Sequence, residues 1–169
     1  MLIRKLNEVD AEAFKAMRLA AVENSPLSFY PSVADLNGTS MAGFRAQLNT
    51  ETGNTVFGAW MNDELVGIVG LRRDGREKLR HKATVWGVYT VSSCRGQGVA
   101  RQLMSVALEE AKSHPEIVGV NLSVITNNHA AKALYASFGF RSWGIERNAI
   151  QVNGEFVDEE HMRLAFDAR

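Results

Sequence analysis

The stretch VWGVYTVSSCRGQGVARQLMSVALEEA, residues 85–111, decides the fold. Residues 85–91 are rich in β-branched and aromatic side chains and are apolar on both faces, which is typical of a buried strand. Apolar side chains then recur at the spacing of one buried helical face: Ala100, Leu103, Met104, Ala107, Leu108 and Ala111. The pattern therefore predicts a buried strand, a short turn and a long helix.

The turn between this strand and this helix has the features of a phosphate-binding site. Gly96 and Gly98 allow the backbone to turn tightly and to approach a ligand closely. The free N–H groups and the positive dipole end at the helix start favour a phosphate group. Arg95 and Arg101 add positive charge beside them. A P-loop is excluded because no Lys-Ser/Thr pair follows Gly98, and a dinucleotide fingerprint is excluded because Arg101 stands where its third glycine belongs.

Two motifs carry a resemblance to a known family. The Arg-x-x-Gly-x-Ala pattern of residues 95–100 resembles the acyl-CoA pyrophosphate loop of the GNAT superfamily of N-acetyltransferases. Residues 128–135, NHAAKALY, and residues 138–140, FGF, resemble the other GNAT signature. Both motifs occur in the expected order, each after a predicted strand. The chain is identified as a member of this superfamily, sharply over residues 81–140 and more loosely over residues 1–80.

Length and composition are those of a single globular domain spanning residues 1–169. Lys+Arg and Asp+Glu are equal at 19 each, which excludes the global basic field of a nucleic-acid-binding protein. The single cysteine, Cys94, excludes an internal disulfide and a multi-cysteine metal site. No signal peptide and no long apolar run is present. We therefore expect a cytoplasmic protein that binds neither membrane nor nucleic acid.

The pattern along the chain predicts an α/β (α+β) fold with about seven strands and about four helices. The first predicted strand is residues 2–6, and Asp10 is a candidate N-cap for the first helix. An irregular segment, residues 23–37, follows this helix, and a second helix is predicted at residues 39–48. The remaining predicted strands are residues 55–61, 65–72, 81–91, 117–124, 141–152 and 155–164. One parallel crossover in a mainly antiparallel sheet follows from this order. The same order matches the GNAT acyl-CoA N-acyltransferase fold, and the terminal hairpin could pair across a homodimer interface.

The resemblance implies that acetyl-CoA is the co-substrate and that no metal is needed. The start of the helix would bind the pyrophosphate, and the strand before it would hydrogen-bond the pantetheine arm through its backbone. The backbone N–H of Val91 is the candidate donor to the thioester oxygen. Asn128 would contact the pantetheine as well. The full set of expected cofactor-binding residues is Tyr89, Thr90, Val91, Arg95, Gly96, Gln97, Gly98, Val99, Ala100, Arg101, Gln102, Asn128 and Tyr135.

Tyr135 occupies the position that resembles the family's general acid, which protonates the departing CoA thiolate. A phenol has a pKa near 10 and a thiol a pKa near 8.5, so the phenol is protonated at neutral pH and can donate to a forming thiolate. The alternative is that Tyr135 only packs on the apolar helix face. The general base stays open: Glu23, His81, Glu146 and a water relayed by backbone carbonyls are all candidates.

The expected reaction is direct transfer of an acetyl group from acetyl-CoA to a primary amine. The neutral net charge favours a small-molecule amine over a peptide or protein amine. Phe29 and Tyr30, on an irregular loop, and Trp86 are candidate walls of the acceptor pocket, although each also fits a packing role. A non-catalytic acyl-CoA sensor or scaffold module is the alternative function. The sequence does not identify the acceptor or the oligomeric state.

Overall fold

The computed structural model describes residues 1–166 as a seven-stranded sheet with helices on both faces. The strands are β1 Leu2–Lys5, β2 Asn54–Met61, β3 Glu64–Arg73, β4 Ala83–Thr90, β5 Gly119–Ile125, β6 Arg141–Val152 and β7 Glu155–Ala165. The helices are α1 Ala11–Asn24, α2 Val33–Gly38, α3 Met41–Gln47, α4 Val99–Lys112 and α5 His129–Ser137. The predicted fold class and strand count are confirmed.

The spatial order of the strands is β1-β2-β3-β4-β5-β7-β6. All neighbours are antiparallel except β4 and β5, which run parallel because α4 crosses between them. These two strands pair only at Ala83 with Val120 and at Thr84 with Asn121. Beyond Thr84 they diverge, and the sheet therefore has a gap in its centre between the later parts of β4 and β5.

A hydrophobic core lies on each face of the sheet. The apolar stripe of α4 packs on one face, where Leu103, Met104 and Ala107 are fully buried, as the helical spacing predicts. On the other face α1 and α3 meet through Phe14 and Phe44, whose ring centroids lie 6.1 Å apart in an edge-to-face contact. The two cores therefore hold α1 and α4 on opposite faces of the sheet.

The segment predicted to be irregular contains a short helix, α2, so the described chain has five helices and not about four. Its start is fixed by a capping box, because the Ser32 hydroxyl accepts from the Asp35 backbone N–H and Asp35 bonds back to Ser32. Asp10 precedes α1 but makes no side-chain cap there. Its carboxylate instead accepts two hydrogen bonds from Arg4, both 2.7 Å, and one from the Asn7 backbone. Competition from a charged partner explains the difference.

The long strand β6 forms one edge of the sheet. Trp143, Ile145 and the neighbouring Phe156 of β7 are exposed there. The homodimer remains a prediction, for which these exposed apolar side chains are a candidate interface. Size-exclusion chromatography with light scattering would test it. Within residues 1–166 there is no helix both long enough and apolar enough to span a membrane.

Candidate active site

The gap between β4 and β5 opens into a cavity of about 530 Å³. It extends from the start of α4 at one end to the loop after α1 at the other, with α5 along its side. The lining combines backbone of β4 and β5, the arginine–glycine turn and α5: its members include Trp86, Tyr89, Thr90, Arg95, Gly96, Gly98, Val99, Ala100, Arg101, Ser123, Asn128 and Tyr135. Both sequence motifs thus contribute to one cavity.

The start of α4 has a backbone conformation that requires glycine. Gly96 and Gly98 lie in the left-handed region, with φ of +74° and +78°. A Cβ atom at either position would meet no atom within 4 Å, so the requirement is conformational and not one of space. At this end of α4 the Gln102 N–H donates to the Gly98 carbonyl, and no side chain of the described residues caps the N-terminus. The preceding N–H groups are therefore available to an anionic ligand.

Two cations lie beside this helix start. Arg95 donates from Nε to the Thr90 carbonyl at 3.2 Å and lies over the Tyr89 ring. Arg101 donates to the Ser137 hydroxyl at 3.0 Å and lies over the Phe138 ring. Neither guanidinium has a carboxylate partner within residues 1–166. Their charge is thus uncompensated and oriented by neutral groups, as a phosphate-binding site needs.

The edge of β4 corrects the expected role of Val91. Its N–H donates to the Val66 carbonyl at 3.0 Å and is not available to a thioester oxygen. In an antiparallel pair the hydrogen-bonding direction alternates along the strand, so the Thr90 N–H and carbonyl point away from β3, toward the gap. The Thr90 hydroxyl is also buried without a hydrogen-bond partner in the described chain. Thr90 is therefore the better candidate donor.

The other expected cofactor-binding residues fall into two groups. Val99 and Ala100 line the cavity at the start of α4, whereas Gln97 and Gln102 do not line it. Gln97 instead closes the turn, since its side chain donates to the Ser93 carbonyl at 3.0 Å. Asn128 lines the cavity and caps α5, because its side-chain oxygen accepts from the Ala131 N–H at 3.1 Å. That bond leaves the amide nitrogen of Asn128 for a ligand.

Tyr135 lies on α5 with 7% of its surface exposed, and its ring centroid is 6.1 Å from that of Phe140. It also lines the cavity, and its hydroxyl forms no hydrogen bond within residues 1–166. Burial raises the pKa of Tyr135 to about 12, because the apolar surroundings disfavour the phenolate. The ring is therefore part of the core, and the hydroxyl is protonated at neutral pH.

At the opposite end the cavity has aromatic walls. Trp86 lines it, with its indole N–H donating to the Asn54 side chain at 2.9 Å. The ring packs so closely on Gly70 that a Cβ atom there would lie 2.0 Å from it. Phe29 also lines the cavity and meets Tyr89 edge to face at 6.2 Å. Tyr30 does not line it; this side chain is 69% exposed, but its hydroxyl donates to Glu159 at 2.5 Å.

Comparison with known proteins agrees with this arrangement. Residues 19–140 match the model of the acetyltransferase (GNAT) family, and these residues hold both motifs and most of the cavity. The chain belongs to the acetyltransferase (GNAT) family. The family assignment made from the two motifs is confirmed.

Relatives in the GNAT family differ in the acceptors their names state. The chain is 31% identical to a streptothricin acetyltransferase of Escherichia coli, over 68% of this chain and 63% of that protein. It is 34% identical to the N-alpha-acetyltransferase RimI of Mycobacterium tuberculosis, over 60% of this chain and 61% of that protein. The matches thus span less than two thirds of these curated relatives.

A solved structure of the Salmonella typhimurium protein yncA with its cofactor acetyl-CoA has the same fold. It superposes with a TM-score of 0.85 at 20% identity and covers 100% of this chain and 95% of that chain. At this identity the likeness shows the fold alone. The GNAT fold expected from the sequence is therefore confirmed. The identity of the acceptor has to be inferred from the residues of the site.

The structure does not bring the three candidate bases to the cavity. Glu23, His81 and Glu146 are not among the residues that line it. A different carboxylate lies behind the cavity wall: Glu159 of β7 is 5% exposed and accepts from the Ser123 hydroxyl at 3.2 Å. Sequence reasoning missed this pair because 36 positions separate its members, and only the alternation of β5 and β7 could have indicated that both face one side.

Proposed function

We propose that this chain is an N-acetyltransferase that transfers the acetyl group of acetyl-CoA directly to a primary amine. The observation that carries the proposal is the single cavity, in which an uncapped helix start and two uncompensated arginines meet a buried, protonated tyrosine. One end matches the charge of a pyrophosphate and the middle matches a thioester. The other end, lined by aromatic side chains, is open to an acceptor.

Each part of acetyl-CoA has a suitable partner. The N–H groups at the start of α4, with Arg95 and Arg101, would bind the pyrophosphate. The backbone of β4 along its unpaired edge would form hydrogen bonds with the pantetheine amides. The amide nitrogen of Asn128 would donate a further hydrogen bond to the pantetheine. The Thr90 N–H would then stabilise the oxyanion that forms on the thioester carbonyl. Removal of such a donor typically costs about 2.7–4 kcal/mol in rate.

The reaction needs a nucleophile, which is the acceptor amine, and a general acid, which the enzyme supplies. The lone pair of the neutral amine attacks the thioester carbonyl carbon, and the C–N bond forms. The oxyanion collapses, the C–S bond breaks, and the Tyr135 hydroxyl gives its proton to the departing thiolate. The amine nitrogen loses its remaining extra proton, and Tyr135 is reprotonated before the next turnover. No covalent acyl-enzyme is needed.

A small-molecule amine is the favoured acceptor. Lys+Arg and Asp+Glu are balanced at 19 each, and such a balance offers no strong docking field for a charged protein partner. The acceptor end of the cavity is bounded by Phe29 and Trp86, whose rings suit an alkyl or aryl amine. The carboxylates of Glu146 and Glu159 lie near Ser123 on this side and favour a cationic amine without its own carboxylate.

Thermal unfolding with and without acetyl-CoA tests the binding half of the proposal. A ligand at 100 times its Kd stabilises the folded state by about 2.7 kcal/mol, which for a domain of this size raises Tm by roughly 5–11 °C. NAD and ATP serve as controls and should give no comparable shift. The absence of a shift with acetyl-CoA would contradict the cavity assignment.

Thiol release from acetyl-CoA across an amine panel tests the catalytic half. The panel should pair each amino acid with its amide, and include diamines, aryl alkylamines and a peptide N-terminus. We expect faster release with the amide of each pair and with small cationic amines. A chain that is stabilised by acetyl-CoA but releases no thiol with any amine would be a binding module and not an enzyme.

A further inference from the structure

We propose that Ser123 and Glu159 form the proton-accepting pair for the acceptor amine. This inference rests on the proposed acetyl transfer and supplies the base that the reaction needs. Ser123 lines the cavity on β5, and its hydroxyl donates to the Glu159 carboxylate at 3.2 Å. The serine hydroxyl thus stands between the cavity and a carboxylate that is largely, but not completely, shielded from solvent.

Glu159 is buried without an ion-pair partner among the described residues. It is 5% exposed and has no cationic partner within residues 1–166. Its hydrogen bonds come from two neutral hydroxyls, Tyr30 at 2.5 Å and Ser123 at 3.2 Å. Burial of a carboxylate without an opposite charge is costly for folding. Costs of this kind concentrate at functional sites.

The adjacent residue provides an internal contrast. Glu160 points to the other face of β7, because successive side chains alternate along a strand, and it forms an ion pair with Lys132 at 2.5 Å. That pair is an ordinary structural contact between β7 and α5. Glu159, by comparison, lies directly across from Glu146 of β6, and like charges in opposed positions destabilise a sheet.

The groups that face Glu159 set its surroundings from four sides. They are Tyr30 from the loop after α1, Ser123 from β5, Glu146 from β6 and His161 from β7 itself. Glu146 is engaged by His161, whose Nε2 lies 3.1 Å from its carboxylate. Tyr30 stays protonated as a donor, since burial and the bond to Glu159 raise its pKa. The free acceptor capacity of the cluster is therefore on Glu159.

The proton balance of the reaction defines the role of the pair. An alkylammonium ion must lose one proton before its nitrogen can attack. That proton goes to the Ser123 oxygen while the serine proton moves to Glu159, so that serine is unchanged and the carboxylate becomes a carboxylic acid. Glu159 releases the proton to solvent between turnovers. The second proton leaves the nitrogen after attack and replaces the one that Tyr135 gives to the thiolate.

Four variants test the pair: Glu159→Gln, Ser123→Ala, the double variant and Glu155→Gln. Glu155 is an exposed glutamate on the same strand and serves as the control. Each is assayed with the panel amine that the unaltered protein acetylates fastest, as kcat and KM over a range of pH. We expect Glu159→Gln and Ser123→Ala each to lower kcat by about 10²–10⁴. The double variant should be no slower than the slower single one, because residues that act as a unit are not additive.

The pH profile separates proton transfer from a structural effect. With Glu159→Gln, the remaining rise of activity with pH should follow the ionisation of the amine alone. The Tm shift with acetyl-CoA should be the same in all variants, because the pair lies away from the start of α4.

Unchanged kcat and pH profile in Glu159→Gln would overturn the pair while acetyl transfer stands. Additive losses in the double variant would overturn it too. No thiol release by the unaltered protein with any amine would overturn acetyl transfer and the pair together.

Discussion

Replacement of Tyr135 by Phe removes one oxygen atom from the lining of the cavity. The ring is buried against Phe140 and stays in place after the substitution. The hydroxyl has no hydrogen-bond partner within residues 1–166, so its removal leaves no other group unsatisfied. We therefore expect the free energy of unfolding to be nearly unchanged, because the substitution removes a hydroxyl without a hydrogen-bond partner and leaves the buried ring in place. The variant is thus a probe of chemistry and not of folding.

The magnitude follows from the proton that the thiolate must receive. A phenol with a pKa of about 12 is a weaker acid than a thiol with a pKa near 8.5, and full transfer in water would cost about 1.36 kcal/mol per unit of the difference. Burial also raises the pKa of a thiol that forms in the same apolar cavity, so the difference between the pKa values of the phenol and the thiol is smaller there than in water. General acid catalysis is typically worth about 10²–10⁴ in rate, or roughly 2.7–5.4 kcal/mol.

The assay measures kcat and the KM for acetyl-CoA by thiol release in the unaltered protein and in Tyr135→Phe. We expect the loss to appear in kcat, with the KM for acetyl-CoA and the acetyl-CoA-induced Tm shift nearly unchanged. A pKa of about 12 also predicts that activity does not fall on the alkaline side between neutral pH and pH ~10. A change in kcat of less than about threefold would refute the acid and leave Tyr135 as a packing residue.

Two further substitutions test the proposed pyrophosphate site and the ion pair between Arg4 and Asp10. Arg101→Ala should raise the KM for acetyl-CoA by roughly 10- to 150-fold, since a charge-assisted hydrogen bond is worth about 1.5–3 kcal/mol. Replacement of the exposed Arg45 by Ala is the control and should leave this KM unchanged, and equal KM values in the two variants would contradict the pyrophosphate site. Asp10→Asn should lower Tm by roughly 3–6 °C at pH 7, because Arg4 holds the pKa of Asp10 below its usual range. A carboxyl group whose pKa is lowered by folding stabilises the folded state fully at pH values above its pKa in the unfolded chain. This stabilisation is lost as the pH falls through its pKa in the folded protein, so the Tm values of the unaltered protein and of Asp10→Asn should converge in acid. A constant Tm difference would contradict the ion pair.

The arginine–glycine turn, to which we assign the pyrophosphate of acetyl-CoA, was predictable because its signals are local. Gly96, Gly98 and the two arginines follow one another within a single turn, and their chemistry does not depend on distant residues. The confirmed strand–helix–strand order likewise follows from periodicity within each segment. The role expected of Val91 was wrong for a different reason. The register of β3 and β4 shifts between Ile68 and Gly70, and such a bulge changes which residues point to the gap.

The acceptor end could not be predicted because its parts come from strands that are not consecutive in the chain. The sheet order places β7 between β5 and β6, so that Glu159 lies opposite both Ile125 and Glu146. Only this insertion brings the carboxylate behind Ser123. The strand β4 contains no carboxylate. The proposed base instead reaches the cavity from the other strand of the gap, β5, by way of the Ser123 hydroxyl. In the proposed arrangement the acceptor nitrogen approaches the thioester from the β5 side, opposite the β4 backbone edge to which we assign the pantetheine. The two strands that diverge after Thr84 would then divide the work: β4 would bind acetyl-CoA and β5 would take part in proton transfer.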